Sequence, residues 1–187
     1  MNLEDVIIRG LIVMFIVLCI SKESISSFDT VCKVRINAPA EQIELIEEEL
    51  SLLPDSIYEE FIGSDVEISV VQNLPEQYSG SCSYSEKNKY KIKLQEGYVE
   101  DAFLHEVGHW FYHINNLEDV DNLNILIQRY GSEVLLNELE NNEYYCKYSE
   151  FFAEIFSMYL HNKLESEEFN EYFNIILGVS VMSQPNQ

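Results

Sequence analysis

Two histidines one helical turn apart, with a glutamate between them, are the residues of this chain best suited to chemistry. The chain has 4 histidines in 187 residues, and His105 and His109 both stand in AFLHEVGHWFY at 102–112. Residues four apart leave the same face of an α-helix. The spacing H-E-x-x-H is typical of zinc hydrolases, in which two imidazoles hold the metal and the glutamate, here Glu106, is the general base.

A catalytic zinc site needs a third protein ligand and one position left open for water. His113 continues the four-residue spacing, but eight residues of helix rise about 12 Å, too far for one zinc with bonds of about 2.0 Å. The extended metzincin pattern requires glycine at position 112 and histidine at position 115, where the chain has Tyr112 and Asn115. Both arrangements are therefore excluded.

Two glutamates of a later segment are the remaining candidates for the third ligand. Glu150 and Glu154 lie four apart in YSEFFAEIF at 148–156, among aromatic and aliphatic residues. Carboxylates on an otherwise apolar helix are costly to bury unless they are paired or bound to metal. One can bind zinc while the other accepts a hydrogen bond from a ligand histidine and fixes its tautomer. The alternative is that both lie on a narrow solvated stripe.

The two motifs HEVGH and SEFFAE together resemble the lethal factor-like zinc metallopeptidases, a family that includes the anthrax lethal factor catalytic domain and secreted clostridial Pro-Pro endopeptidases. The resemblance covers about residues 60–178, with specific metal motifs and a loose remainder. It implies that Glu150 is the third zinc ligand and that Glu154 supports a ligand from behind. Gly108, before the second histidine, also matches the family.

The family has a catalytic tyrosine seven residues before the ligand glutamate, and the chain departs from this pattern with Glu143. Tyr144 and Tyr145 follow directly. A loop shorter by one residue would bring Tyr144 to the family's position, where its hydroxyl would donate to a developing oxyanion. The alternative is that YYCKY at 144–148 is an aromatic packing segment.

The resemblance implies a secreted zinc endopeptidase of the gluzincin type. It would hold one Zn²⁺ per chain on His105, His109 and Glu150, use Glu106 as general base, and cleave an extended peptide or protein. One alternative is an inactive or non-catalytic zinc-binding secreted protein of the same fold. Another is a secreted binding protein in which the motif occurs by chance.

The net charge of the chain restricts the classes of partner that it can bind. The chain has 33 acidic and 11 basic residues, for a net charge of −22. Nucleic acid is therefore excluded as a partner, because phosphate binding needs a basic patch. Solubility and self-repulsion explain such a charge, and preference for a basic substrate or surface is the alternative.

The first 27 residues predict an export signal. The run LIVMFIVLCI, within 6–20, has the length of a signal-peptide core, about 7–15 residues, rather than of a spanning helix, about 20. SKESISS follows, so we expect cleavage near Ser21 or soon after, although Glu4 and Asp5 are atypical of a signal peptide. The prediction is a secreted domain at 28–187, with an uncleaved membrane anchor as the alternative.

Three cysteines remain after removal of the leader: Cys32, Cys82 and Cys146. An odd number permits at most one disulfide, and none of the three belongs to a C-x-x-C pair. We interpret them as small buried apolar residues.

The periodicity predicts an α+β, zincin-like domain, in which a small, twisted, mostly antiparallel sheet precedes a helical half that carries the motif helix. Strands are predicted at 30–36, 65–71 and 89–94, with a short one within 73–89. Helices are predicted at 38–54, 98–114, 117–131, 132–142, 149–164 and 166–177, the last two capped by Ser149 and Ser166.

The strand KYKIKL at 89–94 alternates lysine with apolar residues and, with Lys87, holds four of the 11 basic residues. Lysines on an exposed edge strand protect against edge-to-edge aggregation. The alternative is an edge strand that pairs with an extended peptide substrate.

Overall fold

The structure, a computed structural model, describes residues 33–75, 78–85, 89–139 and 143–179. The predicted export segment, Cys32 and Lys87 lie outside the described residues. The chain divides into two compact units, with the boundary between Phe103 and Leu104.

The first unit combines a four-stranded sheet with two helices that precede most of its strands. The described elements are β1 (Arg35–Asn37), α1 (Ala40–Leu50), α2 (Asp55–Gly63), β2 (Asp65–Val71), β3 (Gly80–Ser85) and β4 (Lys89–Gln95), and the first turn of α3 (Val99–Ile114) follows. The strand at 65–71 agrees with its prediction. The predicted helix 38–54 ends earlier, and α2, which was not predicted, begins after Pro54.

The strands lie in the order β1-β2-β4-β3. β1 pairs with β2 and β2 with β4 in parallel, while β3 pairs with β4 antiparallel. The predicted mostly antiparallel sheet is therefore wrong. Two parallel strands need a crossover connection between them. The helices α1 and α2 form this connection between β1 and β2, so both strands can run in the same direction.

The lysine strand β4 lies inside the sheet, with β2 on one side and β3 on the other, so its prediction as an edge strand is wrong. Its apolar residues are buried, whereas its lysines are exposed on the opposite face. There Lys89 lies 3.5 Å from Asp65, and Lys91 lies 3.8 Å from Glu67. Solvated pairs of this kind contribute about 0–1 kcal/mol each, so the lysines complement the acids of the neighbouring strand.

The core of the first unit lies on the apolar face of the sheet. Val66, Ile68, Ile92 and Leu94 are fully buried. Phe61 of α2 meets Phe103 of α3 edge to face, with ring centroids 6.3 Å apart, a favourable geometry for two aromatic rings. Cys82 on β3 is half-buried.

The second unit is helical and contains the remainder of α3. Its further elements are a 3₁₀ turn (Leu117–Asp119), α4 (Asp121–Asn137), a second 3₁₀ turn (Glu143–Cys146), α5 (Tyr148–Leu160) and α6 (Glu167–Ile176). Among the described residues every helix is too short or too polar to span a bilayer.

Two helix boundaries differ from the predictions. α4 continues through Gly131, where one helix was expected to end and another to begin. Glycine costs a helix about 1 kcal/mol relative to alanine, which packing can outweigh. α5 begins at Tyr148 with Lys147 as its N-cap, so the predicted cap Ser149 lies inside the helix. The Ser166 cap of α6 is confirmed, because its side chain accepts a hydrogen bond from the Phe169 amide.

Aromatic rings in contact with one another join α3, α5 and α6. Phe111 of α3 lies 5.6 Å, centroid to centroid, from Phe156 of α5, and Phe152 lies 5.6 Å from Phe173 of α6. All four rings are at most 3% exposed. Burying a side chain of this size contributes about 1.5–3 kcal/mol, so this cluster fixes the rotational setting of α5 against α3.

Candidate metal centre

The facing surfaces of α3 and α5 bring two imidazoles onto one carboxylate. The Nε2 atom of His105 lies 3.4 Å from Oε2 of Glu150, and the Nε2 atom of His109 lies 3.1 Å from the same oxygen. The two imidazole centroids are 4.9 Å apart. One atom from each residue lies within 4.8 Å of the others, so these three residues could hold a metal ion.

The two nitrogen–oxygen distances in this group are compatible with ligands of a tetrahedral zinc ion. Ligand atoms about 2.0–2.1 Å from a tetrahedral zinc are about 3.3 Å apart. The two nitrogen–oxygen distances, 3.4 and 3.1 Å, lie on either side of this value. Two imidazoles and one carboxylate are also a known set of catalytic zinc ligands that leaves the fourth position open.

A second carboxylate supports the first histidine from behind. Oε2 of Glu154 lies 2.8 Å from Nδ1 of His105, so the Nδ1–H group donates to it. This bond orients the imidazole and directs Nε2 toward Glu150. The side chains of Glu150 and Glu154 are 17% and 26% exposed, so the predicted alternative of a solvated stripe is wrong.

A close approach of two backbones sets the distance between α3 and α5. A Cβ atom added to Gly108 would lie 2.8 Å from Cα and 3.1 Å from the carbonyl oxygen of Ala153. Both neighbours are backbone atoms, which cannot turn away as a long side chain can. Gly108 and Ala153 each stand between two residues of the cluster in the sequence, so their small size brings the histidines within reach of the carboxylates.

The carboxylates determine the charge of His105. Burial lowers the pKa of its imidazole, but hydrogen bonds to Glu150 and Glu154 outweigh burial and raise the pKa to about 9. Charge attraction from Glu106 adds to this increase. The carboxylates around His105 thus favour positive charge at this position, and a divalent cation would supply it in place of a proton.

The pKa of Glu150 shifts in the opposite direction to that of His105. Burial raises the pKa of its carboxyl group, but hydrogen bonds from His105 and His109 outweigh burial and hold the pKa far below its usual range. A hydrogen bond from the Tyr144 hydroxyl lowers it further. Glu150 is thus ionised at neutral pH, as a metal ligand must be.

Glu106 is buried beside the cluster. Only 5% of the residue is exposed, and its carboxylate is near enough to His105 to affect the histidine's pKa. It follows His105 directly on α3, so its side chain leaves the helix about 100° away from the imidazole. Glu106 thus interacts with His105 through its charge but does not belong to the three-residue group.

The two tyrosines of the predicted aromatic segment contact different carboxylates. The Tyr144 hydroxyl donates to Glu150, whereas the Tyr145 hydroxyl donates to Glu154. The Tyr145 ring also lies 6.5 Å from the His105 ring, centroid to centroid. Burial first, then the charge of Glu154, raise the pKa of Tyr145 well above its usual range. Tyr144 is thus the tyrosine whose hydroxyl binds a candidate ligand directly.

The residues that the sequence placed in the site come together in the structure, and the described three-residue group consists of His105, His109 and Glu150. Sequence reasoning missed the contribution of Ala153. A small residue in the otherwise bulky stretch FFAEIF is a signal that could have revealed it. Comparison of the chain with protein-family models, with curated proteins and with solved structures finds no match.

Proposed function

We propose that this chain is a zinc-dependent endopeptidase of the gluzincin type. The observation that carries the proposal is the convergence of His105 Nε2 and His109 Nε2 on one oxygen of Glu150, at distances suited to zinc. Its support includes the buried Glu106, which stands where the H-E-x-x-H motif requires a general base.

The resemblance of HEVGH and SEFFAE to the lethal factor-like metallopeptidases supports the same reaction and a zincin-like fold. In that family the residue corresponding to Glu150 is the third ligand. The contacts of Glu150 with both histidines agree with this role, and the bond between Glu154 and His105 agrees with the supporting role.

Each residue has a distinct task in this proposal. His105, His109 and Glu150 would hold the ion, and Glu154 would keep the His105 tautomer that presents Nε2. Bound zinc would supply a Lewis acid for the substrate carbonyl and would lower the pKa of a water molecule. Glu106 then takes the proton of the attacking water and returns it to the leaving amine.

Tyr144 is the proposed donor to the oxyanion. Its hydroxyl already reaches Glu150, and the residue is 40% exposed, so it can also meet a substrate. A donor aimed at the charge that develops in the transition state typically contributes about 10²–10³ in rate. Tyr145, whose hydroxyl bonds to Glu154, orients the supporting carboxylate instead.

A non-catalytic zinc-binding protein of the same fold is the second candidate. It is favoured by Glu143, which occupies the position where the resemblance implies a tyrosine. We further propose that the partner is an extended peptide or protein and that the chain is secreted, or anchored at the cell surface by its first residues.

Metal analysis combined with a cleavage assay tests the proposal. The full chain, purified without chelators, should contain one zinc per molecule and should cut members of a random peptide library. Zinc without cleavage would support the non-catalytic candidate. Absence of both would contradict the metal site itself and favour a chance occurrence of the motif.

A further inference from the structure

We propose that a pocket between α4 and α5, beside the metal centre, receives one apolar or aromatic side chain of the peptide substrate. The inference rests on the proposed function for the identity of the ligand as a peptide. The existence of the pocket and the chemistry of its lining are independent of any catalytic activity.

The pocket has the size of a single side chain. Its volume is about 270 Å³, below the range of about 300–1,000 Å³ typical of pockets that enclose an entire small molecule. Its walls include Ile127 and Leu135 of α4 and Phe151 of α5. Tyr145 and Tyr148 provide two more aromatic surfaces, against which a ring can pack edge to face or offset.

The lining carries no formal charge, which is unusual for this chain. The polar residues among the described lining are Gln128, Ser132 and the two tyrosines. The whole chain, by contrast, has a net charge of −22. A cationic side chain would have to be buried here without a counter-ion, at a high desolvation cost. Uncharged, largely apolar surroundings therefore favour an apolar or aromatic occupant.

Tyr145 and α5 connect the pocket to the metal centre. The Tyr145 side chain lines the pocket, and it also donates to Glu154 and contacts the ring of His105. Phe151 directly follows Glu150 on α5, so the candidate ligand and the pocket wall are about 100° apart on one helical turn. Tyr145 is therefore shared between the pocket lining and the surroundings of the candidate ligands, which is why the proposed occupant is a side chain of a peptide held at the metal centre.

Gly131 keeps the pocket open from the α4 side. A Cβ atom at this position would lie 3.1 Å from Cγ2 of Ile127 and 3.7 Å from Cζ of Phe151. Both of these residues line the pocket. Glycine in a helix interior costs about 1 kcal/mol relative to alanine, and space for an occupant is a physical reason to tolerate that cost. Gly131→Ala therefore narrows the pocket without weakening the helix intrinsically.

The first test measures side-chain preference. Peptides that the wild type cleaves are varied, one position at a time, among Phe, Leu, Ala and Asp. At one position we expect Phe or Leu to give kcat/KM at least about 10-fold above Asp, the scale of discrimination by an apolar pocket. Gly131→Ala should reduce kcat/KM for the Phe peptide about 10-fold and leave the Ala peptide within about threefold.

Two further variants complete the comparison. Tyr148→Ala removes an aromatic wall that is 42% exposed, so we expect a lower preference for Phe with the fold retained. Arg129→Ala changes an exposed residue of the same helix that does not line the pocket, and it should behave as wild type. If Gly131→Ala fails to fold, Tyr148→Ala tests the same contact.

The second test requires no catalysis. The zinc-free full chain is titrated with N-acetyl-phenylalanine amide while the methyl NMR signals of Ile127 and Leu135 are followed. Saturable shifts are expected, and N-acetyl-aspartic acid amide should produce none. Tyr148→Ala should weaken the response to the phenylalanine probe.

The outcomes separate the pocket from the proposed function. Cleavage with a side-chain preference that Gly131→Ala and Tyr148→Ala leave unchanged would overturn the pocket and support the endopeptidase. Saturable methyl shifts without any cleavage would support the pocket and contradict the endopeptidase. Equal shifts with the phenylalanine and aspartic acid probes would overturn the apolar selectivity.

Discussion

The Nδ1 atom of His105 lies 2.8 Å from Oε2 of Glu154, while the Nε2 atom of the same ring faces Glu150. One imidazole thus contacts two carboxylates that stand a single helical turn apart on α5. The first contact fixes the orientation of the ring, and the second offers the atom that a metal would bind. The two glutamates of SEFFAE are therefore expected to have unequal effects when they are removed.

Zinc affinity distinguishes the two glutamates. Glu150→Ala removes a candidate ligand and should leave zinc weakly bound or unbound. Glu154→Ala removes an orienting partner, which typically costs about 10–100-fold in affinity or activity. Competition with a chelator measures both affinities, and the exposed Glu133→Ala on α4 serves as a control. The reverse order would place the ligand one turn later, and no effect from either change would place it elsewhere.

Loss of the general base should separate catalysis from binding. Glu106→Gln keeps the size of the side chain but removes its basicity, so peptide hydrolysis should fall by at least about 10²-fold. Zinc content and the melting temperature should remain close to wild type, because Glu106 does not belong to the three-residue group. A variant that still cuts peptides at the wild-type rate would contradict the proposed mechanism.

Replacing Tyr144 should lower the catalytic rate, whereas replacing Tyr145 should weaken zinc binding. Tyr144→Phe removes the hydroxyl that reaches Glu150, and kcat should fall by about 10²-fold, the scale of a lost oxyanion donor, with little change in zinc affinity. Tyr145→Phe breaks the bond to Glu154, so its principal effect should be weaker zinc binding. Steady-state kinetics and chelator competition on both variants measure the two effects. The opposite pattern would make Tyr145 the oxyanion donor and Tyr144 the residue that supports zinc binding.

The close approach of α3 and α5 predicts sensitivity at Gly108. Gly108→Ala places Cβ against the Ala153 backbone, so the helices must separate, with an overpacking cost of about 1–3 kcal/mol. The free energy of unfolding, measured with denaturant, and the zinc affinity should both decrease. The control is Gly63→Ala at the end of α2, where no described atom lies within 4 Å of the added Cβ. Equal behaviour of the two variants would rule out the spacing role.

Removal of the metal should destabilise the protein. Zinc at about 1,000 times its dissociation constant stabilises the folded state by about 4 kcal/mol. For a protein of this size, each kcal/mol shifts Tm by about 2–4 °C, so EDTA should lower Tm by about 8–16 °C. Glu150→Ala should show almost no response to EDTA. A wild-type Tm unaffected by EDTA would argue against a bound metal.

Most elements of the fold could be predicted because their patterns are local. The strand at 65–71 alternates and the segment at 98–114 is continuously helical, so both were anticipated closely. The direction of strand pairing was not, because β4 pairs with the preceding strand β3 and also, in parallel, with β2, which is further away in the sequence. The helix end expected at Gly131 was also wrong, since local propensity carries no information about the packing of Ile127 and Phe151 around that glycine.

Some features of the candidate site, like some features of the fold, follow from local sequence, and others depend on tertiary packing. Spacing alone places His105 and His109 on one face, because helix geometry is a property of consecutive residues. Which glutamate meets their Nε2 atoms, and which tyrosine accompanies it, depends on the rotation of α5 about its axis. The aromatic cluster and the contact between Gly108 and Ala153 set that rotation and the helix separation. Only tertiary packing could determine this rotation, because rotating α5 by about 100° about its axis would exchange its apolar and carboxylate faces.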